Sequence, residues 1–227
     1  MENLSLEIPT GSKCCIIGMS GGGKSVLSKL ILGLEKADKG EIWIDGKNIK
    51  GFLEKDWQHI LKDFGVVFQG AALFDSLNIL ENIGIRLYEE RTFSPKIIKE
   101  KVVESLLQVG LTPDILTKLP AELSGGMRKR VGIARAIIHR PKYLIYDEPT
   151  TGLDPLNSDL IDELIWDIAQ EEGRTSIVIT HDLASVMKIA TQVAMLHHKR
   201  IYFSGNKEDF FASQDKEILN FLKRSRL

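Results

Sequence analysis

One short glycine-rich segment constrains this chain more than any other feature of its sequence. Residues 18–25 read Gly-Met-Ser-Gly-Gly-Gly-Lys-Ser, which fits the pattern G-x-x-x-x-G-K-[ST]. The apolar run Cys14 to Ile17 precedes it, as in a strand buried on both faces, and apolar residues at helical spacing, from Val26 to Leu34, follow it. A strand, a glycine-rich loop and a helix in this order predict an α/β fold whose loop binds phosphate.

The chemistry of this loop follows from its residue types. Glycines let the backbone turn tightly, so that successive N–H groups point at a phosphate chain, and the following helix adds the positive end of its dipole. We expect Lys24 to reach the β- and γ-phosphates and the hydroxyl of Ser25 to bind Mg²⁺. The alternative is a flexible glycine-rich turn with a chance Lys-Ser pair, which the flanking strand and helix disfavour.

Two adjacent acids, Asp147 and Glu148, supply the groups that a phosphate-binding loop needs for hydrolysis. They follow the apolar residues 143–146, so their carboxylates should emerge at the carboxyl edge of a parallel sheet, beside the loop. We predict that Asp147 holds Mg²⁺ through its water shell and that Glu148 polarises the attacking water as a general base. An ordinary acidic turn before Pro149 is the structural alternative.

Strand and helix signals organise the rest of the chain. Leu4, Leu6 and Ile8 alternate with polar residues and predict a half-buried strand, and Asp45-Gly46 predicts a hairpin. Between residues 77 and 140 only amphipathic helical patterns are found, with Ser94-Pro95 as a helix start and Gly110 as a stop; after that, strands (143–146, 176–179, 193–196) alternate with helices (157–171, 183–190). We therefore predict one α/β core with a parallel sheet, residues 1–76 and 141–227, interrupted by a helical subdomain over 77–140.

Composition excludes several classes of protein. The 227 residues carry 30 Lys+Arg and 31 Asp+Glu, and this balance argues against a dedicated nucleic-acid-binding protein. The sequence contains no apolar run of the roughly 18 residues that a membrane-spanning helix needs, and its first residues are acidic where a signal peptide is basic. Cys14 and Cys15 are adjacent and read as small apolar strand residues in a reducing compartment. These features predict a cytoplasmic globular protein.

A second anion-binding segment lies in the predicted helical subdomain. Leu-Ser-Gly-Gly-Met, residues 123–127, opens a helix, with Ser124 as a natural N-cap and the backbone donors of Gly125 and Gly126 at the positive end of the dipole. Within one chain this site is superfluous, because the glycine-rich loop already makes a complete phosphate cradle.

This segment, residues 123–127, resembles the signature motif of the ATP-binding cassette (ABC) ATPases, and here it occurs together with the glycine-rich loop. The resemblance implies a P-loop NTPase core with a mainly parallel sheet, an N-terminal antiparallel β part and an inserted α-helical subdomain. It also implies a head-to-tail dimer of two copies, in which the signature of one chain closes over the ATP held by the other. Gln69 resembles the family's glutamine that senses Mg²⁺ and couples to the membrane partner. Asp154 resembles the D-loop aspartate at the dimer interface. His181 resembles the family's switch histidine.

The resemblance assigns ATP and Mg²⁺ to named residues. The residues expected to bind the nucleotide are Gly18, Met19, Ser20, Gly21, Gly22, Gly23, Lys24, Ser25 and Val26, and in the dimer Ser124, Gly125 and Gly126 of the second copy. The residues expected to bind Mg²⁺ are Ser25, Gln69 and Asp147. Those expected to take part in hydrolysis are Glu148, His181 and Gln69. Two departures from the family pattern matter. Met127 stands where Gln is usual, so a ribose contact by that side chain is lost. Residues 1–17 contain no aromatic side chain to stack on adenine, so we expect weak adenine binding or a chain start that omits a first strand.

Three longer segments narrow the resemblance to the Mla-type, Mce-associated lipid-transport ATPases. They are Leu-Ser-Gly-Gly-Met-Arg-Lys-Arg from Leu123, Phe-Gln-Gly-Ala-Ala-Leu-Phe-Asp-Ser-Leu from Phe68, and Tyr-Asp-Glu-Pro-Thr-Thr-Gly-Leu-Asp-Pro from Tyr146. The resemblance implies phospholipid transport, with a membrane permease and an Mce-domain lipid-binding protein as partners at the inner face of the inner membrane. The alternatives are the ATPase of an amino-acid or other small-solute importer, a soluble non-transport ABC ATPase, and a nucleotide sensor without catalysis.

Two apolar segments have open assignments. Leu73, Phe74 and Leu77 either form a groove for a permease helix or belong to the core of the helical subdomain. Residues 215–227 are a candidate amphipathic helix with a basic end, which could dock on its own core, a partner subunit or a regulator.

Overall fold

A six-stranded sheet organises the protein, whose computed structural model describes residues 4–19, 21–170 and 173–224. The strands are β1 (Lys13–Gly18), β2 (Trp43–Ile44), β3 (Lys47–Asn48), β4 (Phe64–Val67), β5 (Tyr143–Asp147), β6 (Thr175–Ile179), β7 (Gln192–His197) and β8 (Arg200–Asn206). The main sheet has the order β4-β5-β6-β1-β7-β8, in which every pair is parallel except β7–β8. The predicted hairpin at Asp45-Gly46 is confirmed as the antiparallel pair β2–β3.

Helices cover both faces of this sheet. They are α1 (Lys24–Ile31), α2 (Glu54–Ile60), α3 (Ile79–Glu90), α4 (Pro95–Gln108), α5 (Gly125–Ile137), α6 (Pro155–Ile168), α7 (Leu183–Ile189), α8 (Lys207–Ala212) and α9 (Lys216–Arg224). Alternate residues of β1 enter the two cores: Cys15 and Ile17 pack in the cluster that includes α3 to α7, and Cys14 and Ile16 pack in the cluster with α1 and the hairpin. The predicted α/β fold with a mainly parallel sheet is therefore confirmed.

Both cysteines lie on β1, between β6 and β7, and their exposed fraction is zero. Burial raises the pKa of the Cys14 thiol to about 12 and raises that of Cys15 as well, so neither forms a thiolate at neutral pH. We expect no reaction of the native protein with a water-soluble thiol reagent, and two reactive thiols per chain in denaturant. Rapid labelling of the native protein would contradict this burial.

Side-chain caps define the helices between β4 and β5. Ser94 accepts a hydrogen bond from the N–H of Ile97 at 3.5 Å, Pro95 is the first helical residue, and Gly110 has φ +69° just beyond the end of α4. Asn82 on α3 is completely buried and bonds the backbone N–H and C=O of Phe74 at 2.7 and 3.0 Å. This amide holds the loop before α3 in place and leaves the ring of Phe74 half exposed.

Three expectations need correction. Residues 4–9 form no strand: Leu4, Leu6 and Ile8 are half-buried against the core, but no strand partner lies beside them within the described part of the chain, and the side chain of Gln192 bonds the Glu7 carbonyl instead. The helix expected at 157–171 begins earlier, at Pro155, because Asp154 caps it and Pro155 suits its first turn. It ends at Ile168, and residue 171 lies outside the described residues. Strand β8 was not predicted. Its half-buried and exposed residues alternate, which is the pattern of an edge strand.

The amphipathic segment near the end of the chain docks on the protein's own core. Ile218, Phe221 and Leu222 of α9 are buried in the same cluster as α3 to α7. Residues 225–227 lie outside the described residues. Among the described helices, none has both the length and the apolar composition that crossing a membrane requires.

A buried carboxyl group joins α6 to α7. The hydroxyl of Ser185 donates to Asp162 Oδ2 at 2.7 Å, and Asp162 is 3% exposed. Burial raises the pKa of Asp162 to about 6, although the Ser185 hydrogen bond opposes the shift. The native state therefore holds this proton more tightly than the unfolded chain does.

This raised pKa makes stability depend on pH. The contribution of Asp162 is fully present below the ordinary pKa and is lost as pH rises through about 6. We expect Asp162→Asn to raise the free energy of unfolding at pH 7 by up to about 3 kcal/mol and to flatten its pH dependence between about 4 and 6. Urea denaturation at several pH values measures this, with Asp167→Asn, an exposed site on α6, as the control. Parallel pH profiles for Asp162→Asn and the native protein would contradict the shift.

Candidate active site

The carboxyl ends of three neighbouring strands converge on one site. Strand β1 leads into the glycine-rich loop, β5 into Asp147-Glu148, and β6 into Thr180-His181. Because β5, β6 and β1 are adjacent and parallel, the segments that follow them meet at the same edge of the sheet.

The glycine-rich loop starts at a position that only glycine fits. Gly18 has φ +153°, and a Cβ there would lie 2.5 Å from the carbonyl oxygen of Leu196 on β7. The loop then turns on a hydrogen bond from the N–H of Gly22 to the carbonyl of Met19, at 3.0 Å, and Gly23, with φ +100°, precedes α1. Of the predicted nucleotide-binding residues, Ser20 lies outside the described residues; Met19, Gly21, Ser25 and Val26 are exposed at the loop and the start of α1.

Lys24 folds back over this loop. Its ammonium donates to the carbonyls of Gly18 at 2.8 Å and Met19 at 3.3 Å, and it lies 3.9 Å from Glu148 Oε1. Burial lowers the pKa of Lys24, and the charges of Glu148 and Asp147 act against that shift. A phosphate chain entering the loop would offer this ammonium stronger acceptors than two neutral carbonyls.

Glu148 is held from several sides. Its Oε2 lies 2.7 Å from Nδ1 of His181 and accepts a hydrogen bond from the hydroxyl of Thr151 at 2.9 Å. Its backbone is left-handed, with φ +49°, and its N–H donates to the Ile179 carbonyl of β6 at 2.8 Å. The structure thus brings Lys24, Glu148 and His181 together. The contact of Thr151 was not predicted, although a hydroxyl three residues beyond an acid is a signal for such a bond.

Asp147 carries an atom that is available to a metal. Burial raises its pKa first and the neighbouring Glu148 second, whereas Lys24 and a hydrogen bond with Ser25 lower it. Its Oδ1 is buried and has no hydrogen-bond partner among the described residues. A buried carboxylate oxygen of this kind beside an exposed serine hydroxyl suits Mg²⁺, which prefers oxygen ligands.

The signature segment lies at the start of α5, against the start of α6. Ser124 is exposed and accepts a hydrogen bond from the N–H of Met127 at 3.2 Å. A Cβ on Gly126 would lie 3.0 Å from the side-chain oxygen of Asn157, whose N–H is bonded by Asp154 at 3.0 Å. Asp154 therefore caps α6, and within the described residues no hydrogen bond joins Ser124, Gly125 or Gly126 to the glycine-rich loop of the same chain.

Two cations of α5 hold the segment that follows β4, and sequence reasoning did not find them. The ammonium of Lys129 donates to the backbone carbonyl of Gln69, and the guanidinium of Arg135 donates to those of Ala71 and Ala72 at 2.6 and 2.7 Å. The side chain of Gln69 itself is exposed. Arg-Lys-Arg in a helix usually indicates a solvated face, and only the folded chain shows that Lys129 is buried.

Comparison with known proteins identifies this arrangement. Residues 1–151 match the family model described as ABC transporter. The chain belongs to the ABC transporter family. Its whole length aligns, at 36% identity over 226 residues, with the "Probable ribonucleotide transport ATP-binding protein mkl" of Mycobacterium leprae, of which it spans 65%.

Other ABC relatives are named for different cargoes. The chain is 34% identical over 222 residues, 98% of its length and 84% of the relative, to the "Intermembrane phospholipid transport system ATP-binding protein MlaF" of Haemophilus influenzae. It is 39% identical over 224 residues to the "Methionine import ATP-binding protein MetN" of Carboxydothermus hydrogenoformans, covering 97% of this chain and 66% of the relative. A solved structure, "Dimeric Structure of MJ0796, a Bacterial ABC Transporter Cassette", superimposes with a TM-score of 0.83 at 29% identity, over 90% of this chain and 89% of that one.

The variant residue of the ABC signature is part of the core. Met127 is half-buried and packs against the cluster that includes α3 to α7. Its side chain carries no N–H donor, and its backbone N–H is already bonded to Ser124. The methionine therefore contributes to packing where a glutamine would offer a polar contact.

Proposed function

We propose that this chain binds ATP with Mg²⁺ and hydrolyses it, as the ATP-binding subunit of an ABC transporter that moves lipid through a separate membrane permease. The observation that carries the proposal is the convergence on Glu148: Lys24 lies 3.9 Å from one of its oxygens and His181 lies 2.7 Å from the other. A buried cation for phosphate, a carboxylate and a histidine at one edge of the sheet can together bind phosphate and activate water for phosphoryl transfer.

Each group has a distinct task in this proposal. The backbone donors from Gly18 to Gly23 and the ammonium of Lys24 bind the phosphates. Ser25, Asp147 and Gln69 hold Mg²⁺, which would neutralise charge that develops on the phosphate oxygens. Glu148 accepts a proton from the attacking water, and His181 keeps that carboxylate oriented.

A second copy completes the proposed site. Ser124, Gly125 and Gly126 form a helix N-terminus that suits an anion, yet no hydrogen bond connects them to the loop of their own chain within the described residues. In a head-to-tail dimer they would face the γ-phosphate on the other chain, with Asp154 near the interface. ATP would then close the dimer, and hydrolysis would release it.

Two observations support the lipid cargo and the permease in this proposal: the similarity to a phospholipid-transport relative and an exposed surface groove. The relative named for intermembrane phospholipid transport aligns with nearly the whole chain. Phe74 is 50% exposed. A shallow groove that begins at Leu77, three residues further along the chain, is lined by Leu77, Glu81, Ile85, Tyr88, Glu89 and Arg91. A groove that presents both apolar and charged side chains suits a short amphipathic helix of a permease, and an Mce-domain protein would be a further partner.

Purification from membranes tests this function. The tagged chain, extracted in mild detergent, is expected to retain a membrane permease, to release phosphate from ATP with Mg²⁺, and in liposomes to move a fluorescent phospholipid but not methionine. ATP-dependent uptake of methionine would instead establish an amino-acid importer. Hydrolysis of ATP by a chain that retains no membrane protein in any mild detergent would contradict the permease and favour a non-transport ATPase.

A further inference from the structure

Lys129 is a buried cation that the proposed reaction does not use. It lies in the second turn of α5 and is 7% exposed. Its ammonium donates to the backbone carbonyls of Gln69 and of Glu148, the latter at 3.3 Å. Burial lowers the pKa of Lys129, while the charge of Glu148 acts in the opposite direction. A buried ammonium is costly unless it is paired, so these two carbonyls determine where it lies.

The two carbonyls occupy matching places on neighbouring strands. In the parallel pair β4–β5, Val67 is opposite Tyr146, so Gln69 and Glu148 are each two residues further along. The backbone pairing of β4 with β5 ends at Val67 and Tyr146, before Gln69 and Glu148. Beyond it, the Lys129 ammonium connects the two backbone segments through their carbonyls. The segment that follows β4 and the segment that follows β5 are thus tied by one side chain of α5.

The backbone of Glu148 depends on such ties. It adopts a left-handed conformation, with φ +49°, which L residues disfavour. Its N–H is bonded by Ile179 at 2.8 Å, and its carbonyl also accepts from the N–H of Thr151 at 3.3 Å. Because the backbone limits the direction of the side chain, these bonds act together with His181 and Thr151 to orient the carboxylate.

The same helix also fixes the rest of the segment after β4. Arg135, six residues after Lys129, bonds the carbonyls of Ala71 and Ala72. A Cβ on Gly132, between the two cations, would lie 3.1 Å from the Cβ of Ala71, so helix and segment are in close contact. Helix α5 is therefore bonded to the segment that contains Gln69 and, through Lys129, to Glu148.

We propose that Lys129 is a positioning residue for hydrolysis: its ammonium ties the backbone of Glu148 to that of Gln69, so that the orientation of the carboxylate follows the position of α5. The inference rests on the proposed function, because it takes Glu148 as the base. It adds a direct mechanical link between the hydrolytic residue and the loop expected to face the permease.

Kinetics of two Lys129 variants test the link. Lys129→Met keeps the length of the side chain but removes every donor, and we expect kcat for ATP to fall about 10- to 100-fold. KM should change less than about threefold, because Lys129 is not among the residues proposed to contact the nucleotide. Lys129→Arg, which keeps charge and donors, should restore most of kcat. The matched control is Lys99→Met, on the exposed face of α4.

Hydrogen exchange supplies a readout that does not need activity. In nucleotide-free Lys129→Met, the amides of Ala71, Glu148 and Thr151 are expected to exchange about tenfold faster or more, with no change in Lys99→Met. If the native protein releases no phosphate, the proposed function fails, while faster exchange still supports the tie. Unchanged exchange at these amides, or a kcat equal to that of the native protein, overturns the proposal.

A softer variant covers the case in which Lys129→Met does not fold. Lys129→Gln retains donors but is shorter, so it can reach at most one of the two carbonyls well. We expect an intermediate kcat and faster exchange at Glu148 or at Ala71. Native values for both measurements would again overturn the proposal.

Discussion

A Glu148→Gln variant is expected to bind ATP as tightly as the native protein and to hydrolyse it about 10²- to 10⁴-fold more slowly. Glutamine has nearly the same shape, so its side-chain oxygen can still accept the hydrogen bond of Thr151, which lies 2.9 Å from Glu148 Oε2 in the native protein. An amide cannot accept the proton of the attacking water. The phosphate site formed by the glycine-rich loop and Lys24 is not altered by the change. Binding and hydrolysis should therefore separate in this variant.

Two measurements check this separation. Phosphate release at saturating ATP gives kcat, and size-exclusion chromatography with ATP and Mg²⁺ should show an accumulated dimer, because the nucleotide that closes it is no longer consumed. Glu163→Gln, an exposed carboxylate on α6 that pairs with Lys188, is the control and should keep native turnover. Native turnover in Glu148→Gln would remove Glu148 as the base.

A Lys24→Ala variant is expected to weaken ATP binding by about 100-fold or more. Each hydrogen bond between a buried ammonium and a phosphate oxygen contributes roughly 1.5–3 kcal/mol, and Lys24 is placed to make two. The substitution also leaves the carbonyls of Gly18 and Met19 without their donor, which disturbs the loop before any nucleotide arrives. The main effect of Lys24→Ala should therefore be on the affinity for ATP rather than on the turnover rate.

Isothermal titration with ATP and Mg²⁺ measures that affinity. Lys29→Ala is the matched control, because Lys29 lies on the same helix but is exposed and pairs with Glu35 at 3.2 Å. An unchanged dissociation constant in Lys24→Ala would refute the assignment of the glycine-rich segment as the phosphate site. Equal losses in both variants would point to a general effect of charge.

Local patterns in the sequence were sufficient for much of the fold. The glycine-rich segment after an apolar run predicts β1, its loop and α1, and the caps Ser94 and Ser124 begin α4 and α5 as expected. These features depend on residues a few positions apart. The alternation of Leu4, Leu6 and Ile8 was misleading, because a half-buried extended segment has the same period as a strand whether or not another strand pairs with it.

The sequence predicted those residues of the candidate site that directly follow a strand, but not those that reach the site from a distant part of the chain. Asp147 and Glu148 were expected at the carboxyl edge of the sheet because they follow an apolar run, and β5 does end there. His181, which follows β6, was singled out only by the resemblance to the ABC ATPases. The contacts of Lys129 and Arg135 with the segment after β4 join positions 60 and 64 residues apart in the sequence, and nothing local distinguishes these two side chains from surface cations. The same holds for Asp162 and Ser185, whose pairing requires α6 and α7 to pack together first.

The two alanines after β4 have a strained backbone that a side chain of α5 stabilises. Ala71 and Ala72 both have left-handed backbones, with φ +62° and +47°, which cost L residues roughly 1–2 kcal/mol each. The guanidinium of Arg135 bonds both carbonyls and so stabilises a shape that the alanines themselves disfavour. Without these two hydrogen bonds, the left-handed conformation of the alanines would lose this stabilisation. The conformation of this loop therefore depends on the position of α5 as well as on the loop's own residues.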